Sequence, residues 1–190
     1  RAQRALDDPL RPKLRHNVPV EGSRVTLHYE SVPPKPHEVA QTVEIATRTG
    51  EDVHLFGDTV SGQQYPGIDG TIGNPPRPLS LKAAVPAARA NLAPKMASDA
   101  LQAAKDLGYS HVEVHVDMPG STVEQVKAAW NAQPLLSTDP IPGPAFDGDI
   151  VSKVVVRCSD GVWTQTPQLT GSAKTGVSPL PARPDAKEKR

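Results

Sequence analysis

The hydrophobic positions of the chain follow two different periods, which predict strands and helices respectively. Residues 24–30, "RVTLHYE", alternate apolar and polar side chains, the period of a strand. Residues 37–49, "HEVAQTVEIATRT", repeat apolar side chains at helical spacing and stop before Gly50, a common residue just past the end of a helix. The apolar stripe of this helix is predicted to consist of Val39, Val43 and Ala46.

The remaining patterns extend this alternation of element types. Strands are predicted at 52–57, 79–84, 111–118 and 149–159, and helices at 87–107 and 121–130. Pro94 is expected to split or restart the first of these helices, and Ser121 with Glu124 fits a capping box for the second. Ile68 and Ile72 indicate a hairpin arm before residue 79. This order predicts an α/β domain with a mixed β-sheet flanked by helices.

Composition divides the chain into a core and two ends. Apolar residues make up 37% and aromatic residues 4%, and the 21 prolines lie largely near the two ends and in a few loops. Residues 1–22 are basic without sustained periodicity, which is typical of a linker or N-terminal arm. Residues 166–190 are similar and are predicted to form a flexible C-terminal tail. The folded domain is therefore expected at 23–165.

Charge and special residues exclude several classes of protein. The 21 basic and 21 acidic residues give a formal net charge of zero, so no global field attracts the chain to nucleic acid or anionic lipid, although a local basic cleft is compatible with a neutral total. The single Cys158 excludes an intramolecular disulfide. No apolar run is long enough to span a bilayer. Because the chain begins at Arg1 without a secretion signal, we expect a piece of a larger protein.

The stretch "YPGIDGTIGNPPRPLSLKAA", residues 65–84, carries the most specific chemistry. Asp69 stands before Gly70 in a turn-rich segment, where glycine leaves the carboxylate sterically open. In a strand over "LSLK", Ser80 and Lys82 point to the face opposite the leucines. A carboxylate, a hydroxyl and an ammonium group are the minimum set for metal-assisted phosphodiester hydrolysis. The competing interpretation is an edge strand with a solvated face, on which lysine discourages aggregation.

A hard divalent cation needs more than one oxygen ligand, so a second carboxylate is expected. Glu44, at the flank of the predicted helix stripe, is the preferred partner of Asp69. Glu38 on the same helix and Asp58 after the next strand are the alternatives. Mg²⁺, Mn²⁺ or Zn²⁺ fits this mixture of ligands, and the residues do not decide among them.

Strand 111–118, "HVEVHVDM", places two histidines and two carboxylates on one face, which could bind zinc. Neighbours at i and i+2 lie roughly 6.5 to 7 Å apart along a strand, a wide spacing for shared ligation. A solvated sheet face or a groove wall is therefore the favoured interpretation of this strand. Two other histidines, His37 and His54, are isolated in the sequence and have no predicted role.

The order of these motifs resembles a known family. The chain resembles the PD-(D/E)XK, restriction-endonuclease-like nucleases in the order of four features, which are a helix glutamate, "VHLFG", "YPGIDG" and "LSLK". The chain is most similar to the C-terminal toxin domains of contact-dependent growth inhibition and related polymorphic toxin systems, and the similarity extends over about residues 37–118. It implies Asp69 and Glu44 as metal ligands and Lys82 as the catalytic lysine. It also implies Ser80 at the second acidic position, where these toxins often carry serine.

The resemblance implies a restriction-endonuclease-like core and a toxin that cleaves nucleic acid, with DNA favoured over tRNA. It further implies secretion as part of a larger protein, action in the cytoplasm of a target bacterium and neutralisation by a cognate immunity protein. The hypothesis from another class is a non-catalytic binding or immunity-type module, which would function without Asp69 and Lys82.

Overall fold

The computed structural model describes residues 15–60, 64–109, 111–132, 150–165 and 168–169. These residues form two compact units. The N-terminal unit lies within Arg1–Tyr65 and Asp69–Pro76, and the C-terminal unit lies within Pro66–Ile68 and Arg77–Leu180. Each unit combines strands with at least one helix, so the predicted α/β class and the mixed strand pairing are confirmed.

The N-terminal unit contains a mixed sheet with the strand order β1-β2-β3-β4. Its elements are β1 (Arg15–Pro19), β2 (Val25–Tyr29), α1 (Pro36–Thr49), β3 (Val53–Phe56) and β4 (Gly70–Ile72). Strands β1 and β2 are antiparallel, β2 and β3 are parallel, and β3 and β4 are antiparallel. Helix α1 connects the parallel pair, since parallel strands need a crossover that a tight hairpin cannot supply.

Helix α1 ends where the sequence predicts, but it buries a different face. Gly50 adopts a left-handed conformation with φ of 70° and donates its N–H to the carbonyl of Ala46. The buried side chains of the helix are Gln41, Thr42, Ile45 and Ala46, whereas Val39 and Val43 are only half-buried. The predicted stripe was therefore wrong for its two valines, because Ile45 packs into the core instead.

The C-terminal unit contains a second mixed run of strands in the order β5-β6-β7-β8. Its elements are β5 (Arg77–Ala83), α2 (Leu92–Asp106), β6 (His111–Met118), α3 (Val123–Asn131), β7 (Ile150–Cys158), β8 (Val162–Gln165) and β9 (Gln168–Leu169). Strand β6 is parallel to both β5 and β7, while β8 and β9 each pair antiparallel with β7. The valines of β6 and β7 that face the same way are fully buried.

The two helices of the C-terminal unit begin at residues that suit the first turn of a helix. Pro94 lies in the first turn of α2, where its missing N–H breaks no intrahelical hydrogen bond. The predicted helix at 87–107 is thus shortened at its start. Helix α3 is capped by Thr122 and Gln125, not by Ser121 and Glu124 as predicted, because Thr122 accepts the N–H of Gln125 and Gln125 bonds back.

The ends of the chain are described only in part. Residues 15–19, inside the predicted N-terminal arm, form strand β1 on β2. Residues 168–169, inside the predicted C-terminal tail, form β9 on β7. Residues 1–14 and 170–190 lie outside the described residues, so the rest of both predictions stands untested. Among the residues that the structure describes, no helix is long and apolar enough to cross a membrane.

Candidate active site

Asp69 lies in the N-terminal unit, immediately before β4. Its carbonyl accepts the N–H of Phe56 at 2.7 Å, which extends the β3–β4 register by one pair beyond Leu55 and Gly70. A β-carbon on Gly70 would collide with the backbone carbonyl of His54. Glycine is therefore required next to Asp69 for the close approach of two strands, a different reason from the sharp turn that the sequence suggested.

Ser80 and Lys82 lie in β5 of the C-terminal unit. Ser80 is fully buried, and its hydroxyl donates to the carbonyl of Gly67 at 3.1 Å. Ser80 is therefore covered on this face, where the carbonyl of Gly67 supplies its acceptor. Lys82 is half-buried and stands opposite Val116 of β6. Strand β5 is paired along most of its length with β6.

Glu44 lies on α1 and forms an ion pair with Arg48 one turn later. The Nε atom of Arg48 is 2.8 Å from one carboxylate oxygen of Glu44, and a terminal nitrogen is 3.3 Å from the other. Both side chains are about a quarter exposed, at 27% and 28%. Such i,i+4 pairs contribute only about 0.3 to 0.5 kcal/mol to the free energy of unfolding. Glu44 could therefore exchange Arg48 for another partner at little cost in stability.

The two alternative carboxylates, Glu38 and Asp58, have structural roles. Glu38 accepts the backbone N–H of the N-cap residue Lys35 at 3.0 Å and so helps to fix the start of α1. Asp58 accepts the N–H groups of Glu30 at 3.2 Å and Ser31 at 3.3 Å. Burial raises the pKa of Asp58, but backbone hydrogen bonds, led by that of Val32, outweigh it and hold the pKa below its usual value.

The ligand chemistry is compatible with a hard divalent cation held by few protein groups. Within the described residues, no three His, Cys, Asp or Glu side chains are gathered to hold a metal ion. Mg²⁺ is commonly held by one or two carboxylates, with substrate phosphates and water completing its shell. Asp69 and Glu44 are of the required type, whereas Asp58 is committed to backbone N–H groups.

Strand β6 carries a buried charge network that its sequence pattern did not predict. Glu113 and His115, 4% and 2% exposed, are joined by a 2.9 Å contact between a carboxylate oxygen and the histidine Nε2. Arg77 on β5 and Lys153 on β7 approach the other carboxylate oxygen of Glu113 at 3.2 and 3.9 Å. The favoured prediction of a solvated face was therefore wrong for the centre of this strand.

Strand β6 is paired on both edges, so side chains of β5 and β7 flank Glu113. Burial raises the pKa of Glu113, but the hydrogen bond from His115 and the positive charges of Arg77 and Lys153 outweigh it, so the pKa is lowered. A signal for this network was present in the sequence, since Arg77 and Lys153 carry the complementary charge on neighbouring strands. At the end of β6, Asp117 forms a bidentate pair with Arg157 at 2.8 and 3.1 Å.

A pair of histidines in the N-terminal unit was also missed. The Nε2 atom of His28 lies 2.7 Å from the Nδ1 atom of His54, and the ring centroids are 4.9 Å apart. His28 is fully buried, and His54 is half-buried. The two residues are 26 positions apart, so only the parallel pairing of β2 with β3 brings them together.

Comparisons with known proteins do not assign the chain to a group. No family model matches it, and no curated protein or solved structure shows significant similarity to it.

Proposed function

We propose that the chain is a metal-dependent nuclease toxin domain that cleaves nucleic acid, with DNA as the favoured substrate. The observation that supports the proposal most directly is the order of elements and motifs. Helix α1 carries Glu44, Asp69 directly precedes β4, and β5 carries Ser80 and Lys82. Strand β3 lies between α1 and Asp69, and α2 and β6 follow β5, so the motifs keep the order on which the resemblance is based.

The chemistry proposed for the site divides among residues of different types. Asp69 and Glu44 would supply carboxylate oxygens to a divalent cation. A bound cation polarises a phosphoryl oxygen and lowers the pKa of a water molecule. Lys82 would hold the attacking water or balance charge that develops on the phosphate. Ser80, whose hydroxyl is bonded to Gly67, would support the strand that carries Lys82.

The proposal includes the setting of the toxin. The domain would be secreted as part of a larger protein and would act in the cytoplasm of a target bacterium. The producing cell would be protected by a cognate immunity protein that occludes the site. A tRNA-cleaving toxin of the same fold is the alternative within the family. A non-catalytic binding or immunity-type module is the alternative outside it.

The test is direct incubation of purified protein with plasmid DNA and with total tRNA. Mg²⁺, Mn²⁺ and Zn²⁺ are supplied separately, and EDTA is the negative control. We expect cleavage of DNA that EDTA abolishes, together with loss of viability in cells that express the chain without an immunity protein. Cleavage of tRNA alone would favour the tRNA alternative.

The catalytic residues are tested with matched pairs of variants. Asp69→Asn and Lys82→Met should each reduce cleavage by at least a hundredfold while the far-ultraviolet circular dichroism spectrum stays unchanged. The controls are Asp99→Asn and Lys95→Met, which change exposed side chains on α2 and should leave cleavage intact. If the wild-type protein cuts neither substrate with any of the three metals and does not harm cells, the nuclease proposal is abandoned.

A further inference from the structure

The sheet of the N-terminal unit has two faces of different chemistry. Along a strand, alternate side chains point to opposite faces. One face of β2, β3 and β4 carries fully buried apolar side chains, namely Val25, Val53, Leu55 and Ile72. The other carries His28, His54, Phe56 and Thr71. The same three strands thus bury hydrocarbon on one side and polar groups on the other.

The polar face contains two hydroxyl groups without a hydrogen-bond partner among the described residues. They belong to Thr71, which is fully buried, and to Tyr65, which is 8% exposed. Thr71 stands directly opposite His54 in the β3–β4 register. The ring of Tyr65 packs on Phe56 with centroids 5.3 Å apart, and Phe56 in turn lies beside His28. Thr71 is therefore a direct neighbour of His54, and the ring of Tyr65 is linked to His28 through Phe56.

Buried polar groups without partners are costly, at about 1 to 3 kcal/mol each. Valine and phenylalanine would fill the same volumes without that cost. A face that served packing alone would resemble the apolar face of the same strands. The hydroxyls and the histidine pair are therefore better explained by a ligand that this face binds, since functional sites are where proteins retain groups that reduce stability.

Asp69 belongs to the same face. The hydrogen bond from Phe56 to Asp69 continues the antiparallel register in which His54 faces Thr71. Because Asp69 and Thr71 are two residues apart, strand alternation places them on one face. His54 is then the diagonal neighbour of Asp69, and diagonal neighbours in an antiparallel pair lie about 7 to 8 Å apart. That separation suits two groups that contact one phosphodiester.

We propose that His54 contacts the phosphate group of the substrate beside Asp69 and that His28 is a positioning residue for it; the inference rests on the nuclease function proposed above. The His28 Nε2–H donates to Nδ1 of His54, which keeps the hydrogen of His54 on Nε2. His54 then donates Nε2–H to a non-bridging phosphate oxygen. No proton is transferred, so the contact lowers the energy of the bound phosphate through a hydrogen bond alone.

The test compares two amides at position 54 in the metal-dependent cleavage assay. His54→Gln places an amide N–H near the position of Nε2, whereas His54→Asn places it near Nδ1. Both replacement side chains are polar, and neither is larger in volume than histidine by more than a small amount, so both variants are expected to fold. We expect His54→Gln to retain at least tenfold more activity than His54→Asn, with the difference in kcat/KM. A purely structural histidine would give two amides of equal activity.

His28→Leu tests the positioning role. It should reduce kcat/KM about tenfold in a protein with His54, and should have no additional effect in the His54→Asn background. The control is His37→Leu, an exposed histidine at the start of α1, which should leave cleavage unchanged. Additive losses from His28→Leu and His54→Asn would overturn the positioning role.

The outcomes separate this inference from the proposed function. A wild-type protein that cuts no nucleic acid overturns both. A second outcome overturns the role of His54 alone. In it the wild-type protein cuts nucleic acid and Asp69→Asn is inactive, but His54→Gln and His54→Asn both keep a kcat/KM within threefold of the wild-type value.

Discussion

The carboxylate of Glu113 in the C-terminal unit and the hydroxyls of Tyr65 and Thr71 in the N-terminal unit are buried in opposite ways. In the C-terminal unit, Glu113 is surrounded by His115, Arg77 and Lys153, so the buried carboxylate is matched by donors and positive charge. In the N-terminal unit, the buried hydroxyls of Tyr65 and Thr71 find no hydrogen-bond partner within the described residues. The carboxylate of Glu113 is matched by other groups of the protein, whereas the hydroxyls of Tyr65 and Thr71 are not matched by any described residue.

This difference separates a structural network from a candidate site. A satisfied network ties neighbouring strands together, and Glu113 links β5, β6 and β7 through one carboxylate. An unsatisfied face lowers stability and is retained where binding compensates for it. Removing Glu113 should therefore lower the free energy of unfolding, whereas removing a buried hydroxyl without a partner among the described residues should raise it.

The largest effect is expected from Glu113→Ala. Removing one partner of a buried charge network leaves the others unmatched and costs about 3 to 5 kcal/mol. The free energy of unfolding, measured with urea, should fall by that amount. Glu124→Ala, at a carboxylate 84% exposed, is the control and should change it by less than about 0.5 kcal/mol. Equal effects of the two substitutions would contradict a structural role for the network.

The same carboxylate predicts how stability depends on pH. The pKa of Glu113 is lower in the folded protein, so its contribution is fully present above the unfolded value of about 4.3. That contribution is lost as the pH falls through the folded pKa. Glu113→Gln should flatten the unfolding free energy between about pH 5 and pH 3 relative to the wild-type protein. An unchanged slope would show that other carboxylates dominate acid unfolding.

An intermediate effect is expected from Asp58→Ala in the N-terminal unit. The variant removes a carboxylate that accepts the backbone N–H groups of Glu30 and Ser31. Hydrogen bonds to charged groups contribute about 1.5 to 3 kcal/mol, and the partial exposure of this loop places the expected loss near the lower end. Asp58→Asn keeps an acceptor and should recover about half of the loss in urea unfolding.

The sharpest contrast between the units comes from a pair of hydroxyl deletions. Thr71→Val removes a buried hydroxyl without a partner among the described residues and should raise the free energy of unfolding by about 1 kcal/mol. Ser80→Ala removes the hydrogen bond to Gly67 and should lower it by about 1 kcal/mol. Thermal unfolding followed by circular dichroism measures both. A loss of stability in Thr71→Val would show that its hydroxyl is satisfied.

The smallest effect on stability is expected from Glu44→Gln. Its partially exposed ion pair with Arg48 contributes at most about 0.5 kcal/mol. If Glu44 is a metal ligand, the same variant should nevertheless lose at least a hundredfold in metal-dependent cleavage. Arg48→Gln breaks the same ion pair and is the matched control, which should leave cleavage within threefold. Parallel losses in the two variants would indicate that the ion pair itself, not a ligand role of Glu44, is required.

Local patterns predicted the elements well where one pattern was long and regular. Strand β6 has the predicted bounds of 111–118, and Gly50 ends α1 as predicted. Strand β1 was missed because five residues without clear alternation are recognisable as a strand only by their pairing with β2. The cap of α3 was displaced by one residue, since Ser121 and Thr122 offer nearly the same signal.

The residues of the candidate site were visible in the sequence, but their surroundings were not. The sequence identified Asp69, Ser80, Lys82 and three acidic alternatives from spacing and resemblance. The sequence could not show that the carboxylate of Asp58 accepts hydrogen bonds from backbone N–H groups, or that Glu44 forms an ion pair with Arg48. Nor could it relate His28 to His54, because contacts between distant residues depend on strand order.

The period of each element, the ends of the clearest ones and the types of reactive group that the chain carries can all be read from the order of its amino acids. Which polar residues are buried depends on how the elements pack in the folded chain. Alternation assigns a side chain to one of two faces, but its exposure depends on what covers that face. For this reason "HVEVHVD" resembles a solvated strand in sequence and yet holds a buried carboxylate and histidine in the folded protein.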